Sequence, residues 1–504
     1  MTTPQQSYDE LLEISRELAI LGSINSVLGW DQEVNMPPKG APWRAEQSAY
    51  LSGTTHRKFT DPRVGELLIT AESGDFASFP LGDEAVNLRE WRHQYNRQTK
   101  VPTELVEELT RTAVIAQSHW AEARKKAEFS LFAPNLEKLI ELVRRQADYI
   151  GYEETPYDAL LDAFEPGEKT ANVQRIFAAL RDELVPLVQA IAESSKRPNV
   201  DILHLDYPAD RQRILGEATS AAVGLDYTAS RLDISTHPFS TNFGPGDQRI
   251  TTRYNSRFFN ESFFGTLHET GHALYEQNLP QAAFGTPGGE SVSLGIHESQ
   301  SRTWENFVGR SRAFWKYNFP RTQQMFPAVL SDVNMEDFYF AVNEVKPSYI
   351  RVEADEVTYN LHIMLRFEIE QAIIAGDLQV DDIPGAWNEL FEDYVGIPVP
   401  DDSQGCLQDI HWAFGGFGYF STYALGNLYG AQFFATARED MPDLDEQIAR
   451  GEFNPLLDWL RTNIYSQGMR YRSGDLVQHV TGEPLSHEPL VAYLQTKFGE
   501  LYDL

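Results

Sequence analysis

Apolar residues at Leu11, Ile14, Leu18, Leu21 and Leu28 recur at steps of three, four and seven, the stripe of an amphipathic helix that is expected to end near Gly29. Comparable stripes over 104–129, 135–150 and 173–194 predict three more long helices. Strict alternation of apolar and polar positions is scarce. The clearest predicted strands, 249–254 and 291–296, are short and flank the stretch richest in chemistry. No Pro-rich or Gly/Ser-rich linker, low-complexity tract or internal repeat interrupts the chain, so residues 1–504 are expected to form a single domain. The fold class this predicts is mainly α, with a small β element near the centre.

Composition narrows the function. Of 504 residues, 42 are Lys or Arg and 74 Asp or Glu, a formal charge of −32 that argues against a nucleic-acid partner. With 42% hydrophobic and 12% aromatic residues, the acid belongs to the surface of a globular protein rather than to a disordered tail. Only 11 of the cations are Lys, which suits a strongly hydrated surface that stays soluble in high salt. A lone cysteine, Cys406, excludes an intrachain disulfide and suits a reducing compartment; it reads as a small buried residue before a catalytic thiol. The first twenty residues lack a signal peptide's basic and apolar regions, and no apolar run reaches membrane-spanning length, so a cytoplasmic protein without a membrane partner is expected.

Residues 268–272 read His-Glu-Thr-Gly-His, within a helical repeat of Phe264, Leu267, Leu274 and Tyr275. His268 and His272 therefore fall one turn apart on one face, where two imidazoles can reach one ion while Glu269 stays free to hold a water. Glu298, beginning a second helical pattern through Trp304, Phe307 and Val308, supplies a third ligand of the His-His-Glu type, leaving a fourth position open. His297 is the competing ligand. The glycine runs at 285–289 and 415–418 lack a phosphate-binding frame and read as flexible or close-packing positions.

Six stretches together resemble the carboxypeptidase Taq family of zinc metallocarboxypeptidases. They are His237-Pro-Phe239, Asp247-Gln-Arg249-Ile-Thr251, HETGH, His297-Glu-Ser-Gln300, Ile350-Arg-Val-Glu-Ala-Asp355 and Gly405-Cys-Leu-Gln-Asp-Ile-His-Trp412. Leu-Gly-Trp-Asp at 28–31 and Gln-Thr-Lys-Phe at 495–498 extend the likeness to both ends. The resemblance implies a helical fold with a deep groove between two lobes, a homodimer, and release of single residues from peptide C-termini with broad specificity. It implies zinc on His268, His272 and Glu298, with cobalt or manganese also accepted by such donors, and Glu269 as general base.

An exopeptidase must also grip a free α-carboxylate. Arg351 is the first candidate and Arg249 the second, each with a nearby aspartate, Asp355 or Asp247, that could instead hold it in a structural ion pair. By analogy with related sites, His411 and Tyr419, with Tyr423 as the alternative, would donate hydrogen bonds to the substrate carbonyl and oxyanion, and His237 would bind substrate backbone. Two rival functions stay open: an oligopeptidase or dipeptidyl carboxypeptidase of the wider helical group, and a peptide-binding protein without activity.

Overall fold

Thr3 opens the first helix by a reciprocal cap: its side chain accepts from Gln6 N at 3.2 Å and its own N–H donates to the Gln6 side chain at 2.9 Å. Helix α1 (Pro4–Val34) runs past the expected end at Gly29, because a mid-helix glycine costs only about 1 kcal/mol and Trp30, next to it, is buried. The computed structural model describes residues 2–504. The predicted stripes become α2 (Thr103–Lys126), α3 (Ala133–Ile150) and α4 (Thr170–Glu193); α3 and α4 turn most of their apolar positions into the main core, while α2 buries Ala116 and Ala123 there and leaves Val114 and Ile115 exposed.

Three short strands follow: β1 (Ser230–Ile234), β2 (Ser240–Asn242) and β3 (Gln248–Thr252), in the order β1-β3-β2. β1 pairs parallel with β3, Leu232 opposite Ile250, and β2 pairs antiparallel, Thr241 opposite Arg249. The sheet packs on α5 (Phe259–Gln277), the helix that carries HETGH. The second predicted strand, 291–296, is not one. Ser293 accepts from Ile296 N at 3.0 Å and caps α6 (Leu294–Arg302), so a two-residue alternation too short to decide gives way to a helix start. α6 continues into a π-helical turn, Thr303–Val308.

α7 (Thr358–Ala375), α8 (Ser421–Asp440) and α9 (Glu488–Tyr502) complete the set that matters here, and α6 lies against both α5 and α8. A separate small core of Tyr8, Leu11, Leu67, Leu68, Leu88 and Trp91 holds the N-terminal helices together. Trp30 joins them to the rest, with Arg231 and Arg249 lying 5.5 and 5.0 Å above its ring, while Asp31 pairs with Arg44 at 2.5 Å within the N-terminal helices. Cys406 is buried and burial pushes its thiol up, which suits the structural reading. Among the described residues no helix is long and apolar enough to cross a membrane.

Candidate active site

His268 and His272 project from one face of α5, ring centroids 4.9 Å apart, toward Glu298 on α6. Glu298 Oε2 lies 3.6 Å from His268 Nε2 and 3.5 Å from His272 Nε2. A tetrahedral ion about 2.0–2.1 Å from each donor sets donor separations of about 3.3–3.5 Å, so two imidazole nitrogens and one carboxylate oxygen fit a divalent metal.

The two helices meet this closely because of Gly271. A Cβ there would sit 2.4 Å from the Gln300 carbonyl oxygen and 2.6 Å from Ser301 Cα. From the sequence this glycine only weakens a helix; in the fold it is what lets α6 bring Glu298 in. Gly426 of α8 does the same from the far side, where a Cβ would lie 2.5 Å from Glu298 Cγ.

Each of the three donors has a partner behind it. Glu298 Oε1 accepts from Arg302 Nε at 2.7 Å, one turn along α6. Burial opposes its charge, but Arg302 and the two histidines hold its carboxyl well below the usual range. His268 Nδ1 lies 2.8 Å from Glu305 Oε2, and Glu305 is clamped by Arg302 at 3.1 Å and Arg310 at 3.8 Å. Against its burial, those arginines and His268 pull Glu305 down to about 2. His272 Nδ1 lies 2.6 Å from His297 Nδ1, and His297 Nε2 lies 2.9 Å from Glu276 Oε1. His297 thus stands behind His272 rather than among the three converging donors.

Glu269 is buried, and burial pushes its carboxyl up to about 7, with His268 opposing and Glu298 and Glu305 adding to the rise. A carboxyl in that range is matched to proton transfer near neutrality.

Beside this lies a second buried cluster. Asp409 Oδ1 accepts from Arg351 Nη2 at 2.8 Å and Nε at 3.2 Å, while its Oδ2 takes Arg366 Nε at 2.7 Å. Arg351 Nη1 also donates to the Tyr359 hydroxyl at 3.0 Å. Asp355 is not its partner: that carboxylate caps α7 through Val357 N and Thr358 N. Two guanidinium groups on one carboxylate leave a surplus positive charge, and Arg351, 7% exposed, is the member nearer solvent while Arg366 is fully buried. Arg249, by contrast, is taken up by Asp247 through both Nε and Nη2 and stacked on Trp30 and Phe243.

His411 Nε2 lies 3.3 Å from the Tyr423 hydroxyl, and its ring centroid is 5.2 Å from that of Tyr419. Tyr419 sits in the turn just before α8 and Tyr423 in its first turn, so the expected single helix starts between them. Burial raises both phenols, and the Glu298 carboxylate is among the charges that add to it. Burial and the two arginines depress His411 to about 4 against the pull of Asp409, so its ring is neutral near pH 7. His237 is exposed in the loop between β1 and β2; its neighbour Pro238 faces Gly265, a turn before His268.

Arg302, Glu305, Glu276 and Asn242 escape the sequence reading. A signal existed for two of them: Glu276 is one further turn along the His268–His272 face, and Glu305 lies two turns beyond Glu298.

The family model described as carboxypeptidase Taq (M32) metallopeptidase matches residues 10–498. A thermostable carboxypeptidase 1 of Thermus thermophilus is 48% identical over 510 residues, 99% of this chain and 100% of that protein. Carboxypeptidase 1 of Bacillus subtilis is 40% identical, covering 98% of both. The crystal structure of an M32 carboxypeptidase from Deinococcus radiodurans superposes with a TM-score of 0.96 at 40% identity, over 99% of this chain and 100% of the other.

Proposed function

The chain belongs to the carboxypeptidase Taq (M32) metallopeptidase family, and from that premise we propose a zinc carboxypeptidase that removes single C-terminal residues from peptides with broad specificity. Membership makes it a metallocarboxypeptidase, a peptide hydrolase that uses a divalent metal. The observation that carries the finer reading is the convergence of His268, His272 and Glu298 at separations of 3.5–3.6 Å with Glu269 beside them.

Those three residues hold the ion, and Zn is the metal the donor set suits best, with cobalt acceptable. A divalent ion held there would supply a Lewis acid able to lower the pKa of water from ~15.7 toward ~7. Glu269 takes the proton from water and delivers it to the departing amine. Tyr419 and His411, with Tyr423 as the alternative, donate hydrogen bonds to the substrate carbonyl and the developing oxyanion. Arg351 grips the terminal carboxylate, supported by the surplus charge of its cluster; Arg249, already bidentate to Asp247, is the weaker candidate. His237 binds substrate backbone at the rim of α5. The family implies a homodimer, the single cysteine suits the cytoplasm, and the chain acts as one unit over its length.

Mass analysis of the products of a defined peptide, with zinc, with cobalt and with chelator, tests this. Single residues released stepwise, and none with chelator, is the expected result. Dipeptide release points to a dipeptidyl carboxypeptidase, and an intact bound peptide to a binding protein.

A further inference from the structure

The hydrogen bonds behind His272 run in one direction. A cation at His272 Nε2 needs the lone pair of that atom, which puts the ring proton on Nδ1. That nitrogen lies 2.6 Å from His297 Nδ1, and two nitrogens so close share one proton, so His297 Nδ1 accepts. The proton of His297 then sits on Nε2, 2.9 Å from Glu276 Oε1. Glu276 Oε2 accepts from Asn242 Nδ2 at 2.7 Å. Asn242 cannot flip freely, because its Oδ1 already accepts from Gly244 N at 2.6 Å. Glu276 therefore faces a donor on each oxygen, and only a carboxylate satisfies both.

His268 is held by different chemistry, its Nδ1 directly on the Glu305 carboxylate. The two ligand histidines thus differ in what stands behind them, one an anion and the other a neutral ring.

We propose that His297, Glu276 and Asn242 are positioning residues, a relay that fixes the tautomer of His272 and ties this ligand to the end of edge strand β2. The inference rests on His268, His272 and Glu298 being the metal ligands. It gives His297, adjacent in sequence to Glu298, a place in the centre without a bond to the metal. Outer partners of this kind are worth about 10–100-fold in metal affinity.

Glu276→Gln keeps the shape and puts an amide between two donors. Turned with its NH2 toward His297, the amide reverses the relay, and His272 Nε2 carries a proton where the cation should bind. Zinc affinity, read by competition with a chromophoric chelator, is expected to fall by about 10–100-fold, with a shifted d–d spectrum in the cobalt-loaded protein. Glu276→Gln combined with Asn242→Asp gives the amide NH2 an acceptor and frees its oxygen for His297. The pair is expected to return affinity to within about threefold of the unaltered chain. Unchanged affinity in the single variant, or a double variant no tighter than the single, overturns the relay. Thermal melts of the metal-free proteins check folding. If Glu276→Gln does not fold, His297→Gln, whose oxygen can still accept from His272, is compared with His297→Leu; equal affinities overturn the relay equally. His272→Ala binding zinc as tightly as the unaltered chain would mean that the ligand assignment, and not the relay, has failed.

Discussion

Glu269→Gln preserves the volume of the side chain and removes its capacity to take a proton. The variant is expected to keep its metal while kcat falls by a factor of ~100 or more, checked by metal content and steady-state rates on one peptide. Near-full turnover would sink the assignment. Arg351 is a harder case, because Asp409 already occupies two of its donors. Arg351→Ala should abolish the preference for a free C-terminus over its amide, with most of the change in KM; a preserved preference would return the residue to a structural ion pair. His268, His272 and Glu269 are legible in the sequence because one helical turn is a local relation. The partners of those residues are not. Glu305 lies 37 positions from His268 and Asp409 lies 58 from Arg351, and nothing local marks either pairing. Asp355, nearer in sequence, is drawn off by the free N–H groups at the start of α7.

Between helices, backbone contact at Gly271 decides where Glu298 stands. Gly271→Ala improves the intrinsic propensity of α5, yet its Cβ meets the Gln300 carbonyl at 2.4 Å and must push α6 away. Metal affinity is expected to drop by at least about tenfold and stability by about 1–3 kcal/mol, read by chelator competition and denaturant unfolding. A more stable protein with undiminished affinity would show that this contact does not position Glu298. The amphipathic stripes over α2, α3 and α4 are read correctly because each repeats over many turns. At 291–296 there are too few residues for a period to emerge, and the Ser293 cap, visible only with its N–H partner, settles the outcome.

Over the whole molecule, buried charge and surface charge act in opposite ways. Glu370 is fully buried on α7 and accepts from Tyr157, Trp412 Nε1 and Gly418 N at 2.7, 2.9 and 3.0 Å. Burial pushes its carboxyl up to about 7 against those hydrogen bonds. The folded chain keeps a proton that the unfolded chain loses near pH 4.5, so this contribution to stability is full below that value. It declines as pH rises to 7 and is flat above, a span of about 3 kcal/mol. Unfolding free energies of the unaltered chain and Glu370→Gln at pH 5 and pH 8 check this; the same difference at both would assign the effect to packing. The −32 surface makes a second prediction. Salt, screening beyond about 8–10 Å, should lower the apparent KM for acidic peptides more than for basic ones, and equal effects would leave the charge a solubility device. Helical class is legible in the periodicities alone, whereas the close approach of α5, α6 and α8 depends on contacts between distant glycines and backbone that no pattern of hydrophobicity records. The two arginines around Asp409 also matter at this scale. They form an island of positive potential inside a negative shell, and a peptide is a dipole in that field. Its ammonium end would be favoured outside and its carboxylate end within, so the molecule is expected to sort the two directions of an incoming chain before any side chain is read.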